Sequence, residues 1–196
     1  MRRVFLVRHG EMENLTHVLA GPNGNQLSAR GRKQIVALAE DLADAGVKRI
    51  VSSPVLRARE TAGIIAERLS LGTAEDLRLG EWGMGHWVGR PLEEFYAQSG
   101  HFRTPVAPER DMEPLEDAAK RVLVAVEEVR AGLGDGESAI LVGHREPLVS
   151  ALITLQGASF EGIHDVELPV ASAWEIVYTD GAEPVVRKFS DRHMVR

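Results

Sequence analysis

The sequence predicts an α/β fold: three layers, α/β/α, around a mostly parallel central sheet with at least one antiparallel edge strand and a lid-like insertion. Three observations carry that prediction. The chain opens on Val4-Phe5-Leu6-Val7, a continuous apolar run followed at once by Arg8-His9-Gly10. A second run, Ser138 to Gly143, ends the same way, in His144-Arg145. Around them, segments with strand and helix periodicity alternate over short joints, the pattern of a parallel sheet. A run that is apolar at every position has no solvent face, so both strands belong inside a sheet covered on two sides.

The elements follow in order. After the first strand, residues 12–26 are turn-rich, with Gly21-Pro22-Asn23-Gly24-Asn25 as the strongest breaker cluster. Ile35, Leu38, Ala39 and Leu42 then recur at helical spacing, with Ser28 placed to cap the helix. Gly46 ends that helix, Arg49-Ile50-Val51 reads as a second strand, and a second helix runs from about 55 to 69. Residues 74–79 suggest a third, weaker strand. From Gly80 to Met112 the pattern breaks down into glycines, prolines and the aromatics Trp82, Trp87 and Phe95. So long an irregular excursion is usually functional, often a lid; a tolerated surface insertion is the alternative. Pro114 to Ala131 reads as a long amphipathic helix. The second buried strand comes next, then a helix over 147–156 that starts at Pro147. Residues 173–178 and 184–189 flank Asp180-Gly181, a hairpin signal and the source of the antiparallel edge.

Composition limits what such a chain does. Its 196 residues, 44% of them hydrophobic, suffice for one domain over 1–196 with an insertion at about 80–112. A net charge of −6 argues against nucleic acid or an anionic membrane as the main partner. The absence of cysteine excludes disulfides, thiolate catalysis and cysteine metal sites. The N-terminal apolar run is too short for a signal peptide, and no run reaches the roughly 18 apolar residues of a membrane helix. A cytoplasmic protein acting on a small anion is expected, with monomer and homodimer both open.

The chemistry lies at the strand ends. In an open α/β sheet ligands bind outside the carboxyl ends of the strands, where the loops diverge. His9 and His144 arrive there from two strands, with Arg8 beside the first. Arg57 follows the Ser52-Ser53-Pro54 turn, early in a helix whose N-terminus already favours an anion. Two histidines with two arginines suit a phosphate better than a metal, which the guanidiniums would repel. The histidines at 17, 86, 101, 164 and 193 share no ligand-like spacing, and of these only His86 is expected to border the site.

At these residues the sequence resembles the histidine phosphatase superfamily with its phosphoglycerate mutase-like branch. The first motif is Leu6-Val7-Arg8-His9-Gly10-Glu11, the second Ser52-Ser53-Pro54 with Arg57-Ala58 and Thr61-Ala62, and the third Leu141-Val142-Gly143-His144. A fourth, Glu81, Gly85, Trp87 and Gly89, matches the glutamate segment of the phosphatase members. Each is weak alone; four in order are specific.

The resemblance implies a phosphomonoesterase without metal or other cofactor. His9 would attack phosphorus and form a phosphohistidine, with Arg8, Arg57 and His144 holding the phosphoryl oxygens. Glu81 would be the general acid and base, a role that favours a raised pKa, which Trp82 and Trp87 could supply by excluding water. Glu11 is expected to brace its loop. Two positions depart from the pattern. Met12 and Glu13 follow Glu11, which brings Asn14, a candidate substrate ligand, one position early. Arg145 stands where relatives commonly have glycine; it is a candidate to bind a further substrate anion or to pair with Glu146 or another surface acid. Other readings of the same site are a phosphoglycerate mutase, a phosphohistidine-protein phosphatase and a non-catalytic phosphate-binding module. The length of the chain and its glutamate segment favour the phosphatase.

Overall fold

The computed structural model describes residues 1–13, 25–98 and 111–189. Asn14, most of the breaker cluster, the far part of the insertion and His17, His101 and His193 lie outside the described residues.

The core is one six-stranded sheet. Its strands are β1 (Arg2–Arg8), β2 (Val47–Ser52), β3 (Ala74–Glu75), β4 (Ser138–Gly143), β5 (Ala173–Tyr178) and β6 (Val185–Lys188), in the spatial order β3-β2-β4-β1-β5-β6. The first four are parallel; at one side β5 pairs antiparallel with β1, and β6 antiparallel with β5. The helices are α1 (Ala29–Asp41), α2 (Leu56–Leu69), α3 (Leu92–Gln98), α4 (Leu115–Ala131) and α5 (Arg145–Leu155).

The unbroken apolar runs follow from a sheet covered on both faces. Along β1, Phe5 and Val7 face α1 and α2, packing with Ile35, Leu38, Ala58, Ala62 and Ile65. Val4 and Leu6 face α4 and α5, packing with Val122, Val126, Leu148 and Leu152. Strand β4 divides in the same way, and every one of its residues is buried. These are the three layers expected.

Several boundaries differ from expectation. The third strand is two residues long, because Asp76 caps a 3-10 turn at Leu77–Leu79 and draws the chain away from the sheet. The insertion holds a short helix, α3, and its Trp82, Trp87, Phe95 and Met112 form a small core against Ala118 of α4. Helix α5 starts at Arg145, two residues before Pro147; the proline sits in the first turn, where its missing N–H costs no helical hydrogen bond. Ser28 does cap α1, its hydroxyl accepting from the Gly31 N–H. No helix of the described residues is long and apolar enough to cross a membrane.

A close backbone approach locks the loop after β1 against α1. The Ser28 N–H donates to the Glu11 carbonyl (2.9 Å), and the Ser28 hydroxyl donates to the Glu11 carboxylate (2.8 Å), so Glu11 braces the loop as expected. Gly31 lies so near that a Cβ there would overlap the Glu11 carbonyl oxygen, and a Cβ on Gly10 would come within 2.9 Å of the Gly31 carbonyl oxygen. Gly31→Ala must therefore push the loop off the helix. The expected loss is about 2–4 kcal/mol, read as a melting temperature lower by roughly 5–15 °C. An unchanged melting temperature would mean that the approach is not that close.

Candidate active site

Three adjacent parallel strands deliver the site residues to one sheet edge. In the β1–β4 register Arg8 stands opposite Gly143, and in the β2–β4 register Ser52 stands opposite Val142. His9 and His144, the residues after β1 and β4, therefore stand opposite each other, and Ser53, after β2, lies one step back, level with Gly143. Backbone bonds extend the pairing by one step, from the His9 N–H to Gly143 (3.2 Å) and from the Ser53 N–H to Val142 (2.9 Å). From there β1 leads to α1 on one face and β4 to α5 on the other, so the chain diverges and leaves a crevice.

His9 and His144 are buried, with ring centroids 5.3 Å apart. The tautomer of His9 follows from its two partners. Its Nδ1 lies 2.8 Å from the Gly10 carbonyl, which only accepts, so Nδ1 carries the hydrogen. Its Nε2 receives the Arg57 Nε–H at 3.2 Å and must present a lone pair. Burial first, then the neighbouring His144 and Arg57, hold the His9 pKa well below the usual imidazole range. The ring is a neutral base with Nε2 turned into the site.

Arg57, the second residue of α2, is fully buried and central. Besides His9 it donates from Nη2 to Glu81 Oε2 at 2.8 Å. Thr61 fastens this helix to the loop: its hydroxyl donates to the Arg57 carbonyl (2.8 Å) and accepts from the Gly10 N–H (3.1 Å). His144 caps α5 and rests its Nε2 against the Ser53 hydroxyl at 2.9 Å. Its Nδ1 lies 3.2 Å from Glu81 Oε2, close enough for an ion pair but off a hydrogen-bonding line. Arg8 sends Nη1 to the Leu168 carbonyl at 2.8 Å. Buried Arg8 Nε, Arg57 Nη1 and His144 Nδ1 have no hydrogen-bond partner among the described residues. Such groups are costly to bury alone, and they are of the kind that an anion's oxygens satisfy.

Glu81 departs from expectation. Trp82 and Trp87 pack into the small core of the insertion, and the Trp82 indole donates to the Glu113 carbonyl at 2.8 Å. Burial does push the Glu81 pKa up, but His144 and Arg57 outweigh it, and the carboxyl is held well below its usual range. In this arrangement Glu81 is an ionised carboxylate between the Arg57 guanidinium and the His144 ring, not a carboxyl kept neutral by tryptophans.

Arg145 is engaged within the fold. Its Nη1 lies 3.3 Å from Glu146, and its Nη2 donates to the carbonyls of Ile163 and Val166, both at 3.1 Å. It ties the segment after α5 to the start of that helix. His86 is exposed, with Nδ1 3.0 Å from Asp111 and its ring against Trp87.

His9, Glu81 and His144 also bring three potential metal-ligand atoms within 4.8 Å of one another. The Arg57 guanidinium touches two of the three residues, so a cation at their centre would face a fixed positive charge. The donor set fits an anion better.

Ser53 and Thr61 were legible only as parts of a motif. Their work, seating His144 and tying Arg57 to the His9 loop, depends on contacts 91 and 51 residues apart in sequence.

A neutral buried imidazole beside two arginines and a second imidazole that keep nitrogens without a partner among the described residues, at the strand-end crevice of an α/β sheet, is suited to phosphoryl chemistry. Residues 4–192 match the family model of the histidine phosphatase superfamily, branch 1, and the chain belongs to that family. A Thermoplasma acidophilum relative named 2,3-bisphosphoglycerate-dependent phosphoglycerate mutase is 32% identical over 156 residues, covering 78% of this chain and 75% of that protein. A mycobacterial glucosyl-3-phosphoglycerate phosphatase superposes with a TM-score of 0.81 at 26% identity, covering 96% of this chain and 97% of the other. The phosphoserine phosphatase of Entamoeba histolytica, solved in complex with 3-phosphoglyceric acid, shares the fold at 20% identity, with a TM-score of 0.82 and full coverage of both chains.

Proposed function

We propose that the protein is a phosphomonoesterase that hydrolyses a small phosphorylated metabolite through a phosphohistidine on His9. The observation that carries this reading is the neutral His9, its Nε2 against the Arg57 guanidinium, in a site where buried nitrogens of Arg8, Arg57 and His144 have no hydrogen-bond partner among the described residues. Two helix N-termini without side-chain caps, those of α2 and α5, add positive potential at the same place.

In the first step the His9 Nε2–P bond forms as the bond from phosphorus to the ester oxygen breaks, and Glu81 protonates the departing oxygen. In the second, water attacks phosphorus, the N–P bond breaks, and Glu81 takes the water proton. The ionised resting state of Glu81 is compatible with this role. An incoming phosphate dianion takes Arg57 and His144 for itself and adds negative charge beside the carboxylate. Both effects raise the Glu81 pKa, so substrate binding loads the proton that the first step uses.

A mutase uses the same residues, and the Thermoplasma relative carries that name. The two readings differ in the fate of the phosphoryl group. Phosphate release from p-nitrophenyl phosphate and from 3-phosphoglycerate, with EDTA present, is expected for the phosphatase. Transfer from 2,3-bisphosphoglycerate to a monophosphoglycerate without release of phosphate would establish the mutase. Activity abolished by EDTA and restored by a divalent metal would overturn the metal-free route.

A further inference from the structure

Glu81 lies in a segment with little regular structure, between a 3-10 turn and the insertion, yet its carboxylate is placed to within hydrogen-bonding distance of Arg57. What holds it comes from elsewhere in the chain. Arg121, on α4, uses all five of its N–H groups at this point. Nη1 donates to the carbonyls of Arg78 (2.6 Å) and Gly80 (2.8 Å), and Nη2 to the carbonyl of Glu81 itself (3.1 Å). Nε and Nη2 grip the two oxygens of Glu113 at 2.6 and 2.9 Å.

Glu113 lies where the insertion rejoins the fold and is bound back to its start. Its carboxylate accepts from the Gly83 N–H (3.0 Å), its own N–H donates to the Gly83 carbonyl (2.7 Å), and its carbonyl accepts the Trp82 indole (2.8 Å). Arg121 and Glu113 thus close the neck of the insertion, and the backbone so fixed is that of residues 78–83.

We infer that Arg121 is a positioning residue for the general acid–base: it acts on the reaction only through Glu81, by clamping the carbonyls on either side of it. The guanidinium is suited to this because its planar fork reaches three carbonyls and a carboxylate at once, which a single ammonium cannot do. The inference rests on the reading of Glu81 as acid and base.

The test is a double-mutant cycle on p-nitrophenyl phosphate and an alkyl phosphate, using Arg121→Met and Arg121→Lys in the parent and in a Glu81→Gln background. In the parent, Arg121→Met is expected to lower kcat by about a hundredfold, the usual cost of a misplacement near 1 Å. The alkyl phosphate, whose leaving oxygen needs the proton more, should lose more than the nitrophenyl ester. In the Glu81→Gln background the same change should cost less than about twofold, because nothing is left to position. Arg121→Lys keeps a charge against Glu113 and serves if the methionine variant does not fold; it should show the same dependence on Glu81. Equal losses in both backgrounds would overturn the inference and leave Arg121 a general structural residue. A fully active Glu81→Gln would overturn the acid–base reading itself, and this inference with it.

Discussion

His9→Ala should abolish turnover, with a loss on the order of 10⁴-fold or more, since a nucleophile that forms the covalent intermediate has no partial substitute. The variant should still bind phosphate, because the donors on Arg8, Arg57 and His144 stay in place. It should also lose the 32P label that the parent retains on rapid acid-free quenching with a labelled substrate. A labelled His9→Ala, or one as active as the parent, would exclude His9 as the phosphoryl acceptor. The same substitution has a signature in stability. The His9 pKa is depressed in the folded protein, so below about pH 6.5 the unfolded chain binds a proton that the native ring refuses. The unfolded state then holds more protons, and stability rises with pH, at up to about 1.4 kcal/mol per pH unit for this one group. The contribution is level above pH 6.5 and lost as the pH falls below it. Glu81 acts in the same direction at lower pH: its folded pKa is depressed, so its stabilisation is present above the ordinary carboxyl range and is lost on acidification. Thermal melting between pH 5 and 7 should therefore be flatter for His9→Ala than for the parent. Parallel profiles would mean that His9 protonates in the folded state.

Arg57→Met should be the next most damaging change, costing about 10²–10³ in kcat. The side chain is 1% exposed and connects the nucleophile with the carboxylate, at 3.2 Å from His9 Nε2 and 2.8 Å from Glu81 Oε2. Its loss removes the main fixed cation from the developing phosphoryl charge. It also leaves the Glu81 carboxylate with only the Trp82 N–H (2.9 Å) and the nearby His144 among the described residues. Inhibition by inorganic phosphate should weaken in step with the loss of kcat, because product and transition state use the same guanidinium. Arg57→Lys should recover little: one ammonium cannot span both neighbours, and the hydrogen bond to His9 Nε2 depends on the fork. A lysine variant near parental activity would show that only net charge matters at this position.

How much of this was legible beforehand depends on how local each feature is. The strands β1 and β4, their covered faces and the residues that follow them were readable from Val4–Val7 and Ser138–Gly143, because an unbroken apolar run admits few placements. Ser28 as a cap and the hairpin at Asp180-Gly181 were readable because caps and turns are decided within a few residues. The gathering of His9, Arg57 and His144 followed from topology, since parallel strands bring their carboxyl ends to one edge.

Other features rest on distances that no short stretch encodes. Strand β3 ends after two residues because Asp76 captures the next turn. Arg145 engages Glu146 and two carbonyls about twenty residues away, a choice between partners that only folding presents. The charge state of Glu81 is a balance of burial against Arg57 and His144, which come from different elements, and its sign could not be read from the tryptophans beside it. Arg121 is 40 residues from the glutamate it holds and belongs to no motif. Local periodicity and strand-end chemistry were thus settled along the chain, because neighbouring residues decide them. Electrostatic balance and the clamping of Glu81 arose only when α2, α4 and the ends of β1 and β4 came together, because Coulomb and hydrogen-bond energies depend on separation in space.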